Sequence, residues 1–218
     1  MIGEKELSAC CLEPATTALL FFDMLNGHVK TGEPETTARY APVIVAALEL
    51  LRTARAHGLL VAYATANHRA DNATSASTLR DTDNRMRPFG ATPAPAFRPI
   101  VAGGTWAAQV IDELAPAPDD YLIPKYRWSA FFQTYLELAL RTRGIDTLII
   151  AGGSTDVGVA STAFAARDLD YNVVIVSDAC TSPEQDNHDQ FMRRVFPRMG
   201  RVRTAAEVSA MLSVGGSH

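Results

Sequence analysis

The sequence predicts a three-layer Rossmann-like α/β fold, with a six-stranded parallel sheet flanked by helices on both faces. Three observations predict it. Short aliphatic or β-branched runs alternate with longer stretches of helical periodicity, the pattern of successive βαβ units. The strand runs are apolar throughout rather than alternating, as strands covered on both faces must be. The chain has 218 residues, of which 47% are hydrophobic, enough for one substantial core.

The first strand is read at Thr17 to Asp23, an apolar run that ends in an acid. A long helix follows at about Arg39 to His57, where Val43, Leu50, Leu51 and Ala54 recur at helical spacing before Gly58 ends it. Strand two is Leu59 to Thr65. From Ala66 to Gly104 periodicity fails among polar residues and Pro88, Pro93, Pro95 and Pro99, which predicts a long loop holding at most a short helix. A helix at about Thr105 to Leu114 leads to strand three, Tyr121 to Lys125, which ends in a base. A helix at Phe131 to Arg143, with Ser129 as a cap, precedes strand four, Thr147 to Gly152. The next helix opens near Thr155 and runs to about Leu169. Strand five is Asn172 to Asp178 and strand six Arg201 to Arg203. Thr204 and Glu207 form the capping box of the last helix. No repeat or composition shift divides the chain, so residues 1–218 read as a single domain with residues 1–16 as an N-terminal extension and 66–104 as the long loop.

The net charge of -4 and the absence of a basic run interleaved with aromatics argue against nucleic acid as a partner. No stretch reaches membrane-spanning length, and the acidic N-terminus lacks the basic start of a secretory signal, so the expected location is cytoplasmic. Cys10, Cys11 and Cys180 are an odd number with two adjacent, which reads as structural thiols rather than a disulfide framework. Five scattered histidines suggest no zinc site, and His68 reads as a solvated loop residue. Gly152-Gly153 with Gly158 matches neither the dinucleotide fingerprint nor the phosphate loop. Neither a metal nor any other cofactor is expected.

In open parallel sheets the ligand crevice lies beyond the carboxyl ends of the strands, where strand order reverses. Asp23, Lys125 and the turn from Gly152 to Gly158 all fall at such ends. An acid and a base at one crevice perturb each other's proton affinity, which makes Asp23 and Lys125 the leading catalytic candidates. Phe22, Tyr126, Trp128 and Phe131 are candidates for an aromatic wall, Arg127 for binding a carboxylate, and Asn26 and His28 for the entrance.

The segment Gly152-Gly153-Ser154-Thr155-Asp156-Val157-Gly158-Val159-Ala160-Ser161-Thr162 resembles the nucleophile turn of the isochorismatase-like cysteine hydrolases, roughly Gly-x-x-Thr-Asn/Asp-x-Cys-Val-x-x-Thr. Position 158, glycine here, is where that cysteine would stand. The contexts Phe22-Asp23-Met24-Leu25-Asn26 and Pro124-Lys125-Tyr126-Arg127-Trp128-Ser129-Ala130-Phe131 are similar to those of the family's acid and lysine, and the likeness covers most of Thr17 to Arg203. The resemblance implies a small-molecule hydrolase, a homodimer or homotetramer, and a cis peptide bond at Gly153-Ser154. It also implies a turn of Gly153, Ser154 and Thr155 whose amides, those of Ser154 and Gly158, form an oxyanion hole.

Without a thiol at position 158, the amidase route of the family is closed. Ser154, Thr155 and Ser161 are nearby hydroxyls, but a nucleophilic role for any of them needs a differently shaped turn. Asp23 as general acid would protonate the vinyl ether of an isochorismate-like substrate. Asp23 as general base would activate a water, held in the room vacated by the thiol, for C–N or ester hydrolysis. The alternative is a non-catalytic, ligand-binding or regulatory descendant. The wording Ser154-Thr155-Asp156 is closer to the amidase branch than to isochorismatases proper.

Overall fold

The computed structural model describes residues 11–71, 73–75 and 101–215. Cys10, most of the N-terminal extension and the four prolines of the long loop lie outside the described residues. Six strands form one parallel sheet in the order β3-β2-β1-β4-β5-β6, with β1 at Thr17–Phe22, β2 at Leu60–Ala66, β3 at Tyr121–Lys125, β4 at Thr147–Gly153, β5 at Asn172–Thr181 and β6 at Arg201–Arg203. Strand order therefore reverses between β1 and β4, which pair directly with Phe22 opposite Gly152.

Alternate residues of β1 divide the molecule into its layers. Leu19 and Phe21 face the long helix α2 (Pro34–Ala56), while Ala18, Leu20 and Phe22 face the opposite side, with Leu136 and Leu140 of α3 (Leu136–Thr142) and Ala163 and Ala166 of α4 (Ala160–Asp168). A short helix α1 (Asn26–Val29) precedes α2, and α5 (Gln185–Gln190) and α6 (Ala205–Gly215) complete the α-helices among the described residues. The α6 capping box forms as expected: Glu207 accepts from the Thr204 amide at 2.7 Å, and its own amide donates to the Thr204 hydroxyl at 3.2 Å.

Several elements differ from the expectations, for local reasons. The helix expected from Phe131 starts only at Leu136, because Gln133 takes φ 54° and the Thr134 hydroxyl donates back to the Ala130 carbonyl. Ser129 caps a turn instead, accepting from the Phe131 amide at 3.1 Å. The helix expected at Thr105 to Leu114 is two 3-10 turns, Trp106–Ala108 and Asp112–Leu114. Between them the chain pairs with the segment that follows β1, through Asn26 N–H to Gln109 O and Ile111 N–H to Met24 O. Strand β5 runs on to Thr181, since a register shift between Ile150 and Gly152 lets Cys180 and Thr181 pair with Gly152 and Gly153. Helical turns between β5 and β6, namely α5, Phe191–Val195 and Phe196–Arg198, have no counterpart in the sequence reading.

Candidate active site

The catalytic candidates converge at the carboxyl edge of the sheet beside the β1/β4 reversal. Asp23 follows β1 with φ 49°, a left-handed conformation that Asp and Asn tolerate better than most residues, and its carbonyl closes a turn with the Leu25 amide. Lys125 ends β3, two strands away. Its ammonium reaches across to Asp23, with Nζ 2.6 Å from Oδ2, while the backbone N–H of Ala66, the last residue of β2, donates to Oδ1 at 3.0 Å. Three adjacent strands thus fix one carboxyl group.

Both partners are shielded from water, Lys125 being only 5% exposed. Its ammonium also lies 4.3 Å from the centroid of the Phe22 ring, a cation–π contact at a largely desolvated position. Both groups on Asp23 are donors, an arrangement that satisfies an ionised carboxylate and leaves two of its four acceptor positions for other ligands.

The turn after β4 contains the cis peptide bond at Gly153-Ser154. Gly152 takes φ 126°, and a Cβ there would lie 2.1 Å from the Phe22 carbonyl oxygen, so both conformation and space require glycine. From Thr155 to Val159 the chain makes a π-helical turn that leads into α4. Gly158 lies in this turn, buried against Phe22. A Cβ at position 158 would fall 2.1 Å from Cε1 and 2.4 Å from Cζ of that ring. The position that a Cβ on residue 158 would take, expected to be vacant, is therefore filled by an aromatic side chain.

A cavity of about 300 Å3 opens beside these groups. Of the candidates, Phe22, Asp23, His28, Lys125, Tyr126, Arg127, Trp128, Gly153, Ser154 and Gly158 line it. Asn26 does not belong to that lining: it is buried, and its amide donates to the Trp106 carbonyl at 3.2 Å, which ties α1 to the following segment. Thr155 is also buried away from it, its hydroxyl 2.9 Å from Nδ1 of His188. Phe131 packs in the core against Tyr171, with ring centroids 5.8 Å apart. The Arg127 guanidinium donates to the carbonyls of Thr74 and Tyr126.

His68, expected in solvent, is buried, lines the cavity and packs edge-on to Tyr126. Burial, with the positive charges of Lys125 and Arg127, lowers its pKa. His28 shifts in the same direction, first through burial and then through Lys125, with Asp23 opposing. Arg39 and Tyr40 on α2 also line the cavity and were not among the site candidates. The available signal was topological: a helix that follows a parallel strand starts at the carboxyl edge, so its early turns border the crevice. Tyr40 stands against the turn, its hydroxyl 2.6 Å from where a Cβ on Gly153 would be, and burial raises its pKa to about 12.

Asp156 anchors the turn from behind. Its carboxylate accepts from the hydroxyls of Ser154 and Ser182, each at 2.5 Å, and from the Asn187 amide at 2.8 Å. The Ser154 hydroxyl is thereby committed to a structural bond, which disfavours it as a nucleophile. Burial raises the Asp156 pKa, but the donated hydrogen bonds outweigh it and the net shift is downward.

A parallel sheet with acid, base and glycine turn at its switch point marks an α/β enzyme, and its relatives specify the class. The Isochorismatase domain model matches residues 17–207. The uncharacterized isochorismatase family protein YecD of Escherichia coli O157:H7 is 34% identical over 90% of this chain and 96% of its own length. The ureidoacrylate amidohydrolase RutB of Stutzerimonas stutzeri is 32% identical over 77% of this chain and 71% of its own. Among solved structures, an isochorismatase family protein from Burkholderia thailandensis superposes with a TM-score of 0.77 at 32% identity, covering 93% of this chain and 98% of that one. The chain belongs to the isochorismatase family and is a hydrolase.

Proposed function

We propose that the protein hydrolyses a C–N bond in a small amide or ureido compound by direct attack of water, without a covalent enzyme intermediate. The observation that carries this reading is the setting of Asp23, a carboxyl group whose oxygens accept from Lys125 and Ala66 at the edge of the cavity. A group so placed is suited to take a proton rather than give one. Gly158 stands in the position of the family thiol, and the Phe22 ring fills the space that thiol would use.

In this mechanism Asp23 removes a proton from a water held in the cavity as the water oxygen bonds to the substrate carbonyl carbon. The backbone amides of Ser154 and Gly158 donate to the developing oxyanion. The tetrahedral intermediate collapses, the C–N bond breaks, and the proton taken by Asp23 passes to the leaving nitrogen. Lys125 stays charged throughout and stabilises the carboxylate form of Asp23 at the start and end of the cycle. The likeness to RutB, an amidohydrolase by name, supports C–N cleavage over vinyl ether hydrolysis.

The test is ammonia release from ureidoacrylate and from a panel of simple primary amides, with Asp23→Asn alongside. Asn keeps the left-handed backbone accessible and removes the base, so activity is expected to fall by about a hundred- to ten-thousand-fold. Pyruvate release from isochorismate that depends on Asp23 would replace this reading with general-acid catalysis. Silence on every substrate, with ligands still bound, would favour a non-catalytic binding protein.

A further inference from the structure

Among the described residues, three cationic side chains line the cavity, Lys125, Arg39 and Arg127, against a single carboxylate, Asp23. Lys125 and Asp23 neutralise each other in their ion pair. The histidines of the lining, His28 and His68, have lowered pKa values, so they add no charge near neutral pH. Two arginines remain, and they differ in how far their donors are used. Arg127 already donates to two backbone carbonyls. Arg39 has no carboxylate partner among the described residues. Its Nε is buried without a hydrogen-bond acceptor, and its guanidinium carbon lies 5.5 Å from the centroid of the Tyr40 ring. A buried, unsatisfied guanidinium donor is costly unless something completes it.

We propose that Arg39 is the specificity-determining residue of the cavity, and that its ligand is a small carboxylate whose apolar part lies against the aromatic side chains of Phe22, Tyr126 and Trp128. This deepens the hydrolase reading, on which it rests, by making the substrate an anion whose carboxylate is separate from the bond that is cut. A guanidinium offers the planar donor fork that a carboxylate accepts from two sides. The arrangement divides the cavity into two functions. The Asp23 and Lys125 end carries out the reaction, and the Arg39 end holds the substrate in one orientation. Tyr40 lies between the glycine turn and Arg39, with its hydroxyl against Gly153 and its ring centroid 5.5 Å from the Arg39 guanidinium carbon.

The experiment is calorimetric titration of the full chain with benzoate and with benzyl alcohol. The two differ in charge, and neither is hydrolysable. The variants are Arg39→Gln, Arg39→Lys and Arg127→Gln, each checked for an unchanged thermal melt. Saturable benzoate binding at least tenfold tighter than benzyl alcohol is expected. In Arg39→Gln benzoate binding weakens about 10- to 100-fold, the range for a charge-assisted hydrogen bond, while benzyl alcohol changes less than twofold. Arg39→Lys keeps the charge without the fork and falls between. The proposal is overturned by no saturable benzoate binding, by equal binding of the two ligands, by equal losses for both in Arg39→Gln, or by a loss found in Arg127→Gln instead. Binding needs no turnover, so benzoate discrimination that survives a failure to hydrolyse any amide leaves the anion site standing. Hydrolysis without discrimination removes the anion site alone.

Discussion

The ring of Phe22 occupies the space into which any side chain at position 158 would project, so the last residue of β1 and a residue of the π-helical turn are sterically coupled. Each is intelligible only with the other. Phe22 belongs to the face of the sheet that packs against α4, and Gly158 lies two residues before that helix. The aromatic ring fits because the glycine has no Cβ.

Gly158→Cys alone is therefore expected to destabilise the protein by about 1–3 kcal/mol, since overpacking forces the ring off its position. Phe22→Val alone leaves a cavity and is also destabilising. Combined, the two substitutions relieve each other, and a double-mutant cycle by urea denaturation should give a favourable coupling of about 1 kcal/mol or more. Iodoacetamide should alkylate the introduced thiol faster in the double variant than in Gly158→Cys alone. Additive destabilisation together with equal alkylation rates would disprove the steric coupling.

The contrast between this pair and Asp23–Lys125 shows what the sequence makes legible. Asp23 and Lys125 each end an apolar strand, and the carboxyl ends of parallel strands converge, so their meeting follows from the fold class once strand order is known. The packing of Phe22 on Gly158 depends on which face of β1 carries the even-numbered residues and on how tightly the turn approaches the sheet, and neither is written in a local pattern. Arg39 and Tyr40 were missed for a similar reason: helical periodicity marks the core face of α2, not the part of it that borders a crevice. The α5 segment, Gln185–Gln190, has no apolar periodicity at all, and it is positioned in part by Asn187 bonding to Asp156. Gln133 illustrates the opposite failure, where a helical pattern was overridden by one residue with positive φ.

Lys125→Met preserves the length of the side chain but removes the charge, leaving the Asp23 carboxylate in a shielded site without its partner. Breaking such a pair from one side typically costs about 3–5 kcal/mol. Lys125→Met combined with Asp23→Asn should recover part of that loss, because the amide carries no uncompensated charge. Denaturation midpoints of the three variants check this. A Lys125→Met protein as stable as the parent would mean that the pair is accessible to water and contributes little.

Asp156 ties the turn to Ser182 and Asn187, and its lowered pKa makes that tie dependent on pH. The folded-state value lies below the unfolded one, so the stabilisation is complete above about pH 4, the ordinary carboxylate range, and disappears as pH falls through the lower folded value. Asp156→Asn removes the titrating group. The stability gap between parent and variant should be wide at pH 7 and narrow toward pH 3, measured by urea denaturation at each pH. A gap that stays constant with pH would assign the effect of the substitution to lost packing rather than to the ionised carboxylate.

Cys180 provides the last test, of the core beneath the site. Its thiol is buried between β4 and β5 and donates weakly to the Ile150 carbonyl at 3.8 Å, and its pKa is pushed up to about 12, chiefly by burial. A thiol in this state has almost no thiolate near neutral pH and no access to reagent. Under native conditions iodoacetamide should leave Cys180 unmodified while Cys11, which is partly exposed, reacts; in denaturant both should react. Peptide mapping by mass spectrometry distinguishes them. Rapid native labelling of Cys180 would show that the carboxyl edge of β4 and β5 opens to solvent, and the turn that carries Gly153 and Ser154 would then lack the rigid base on which the proposed oxyanion donors depend.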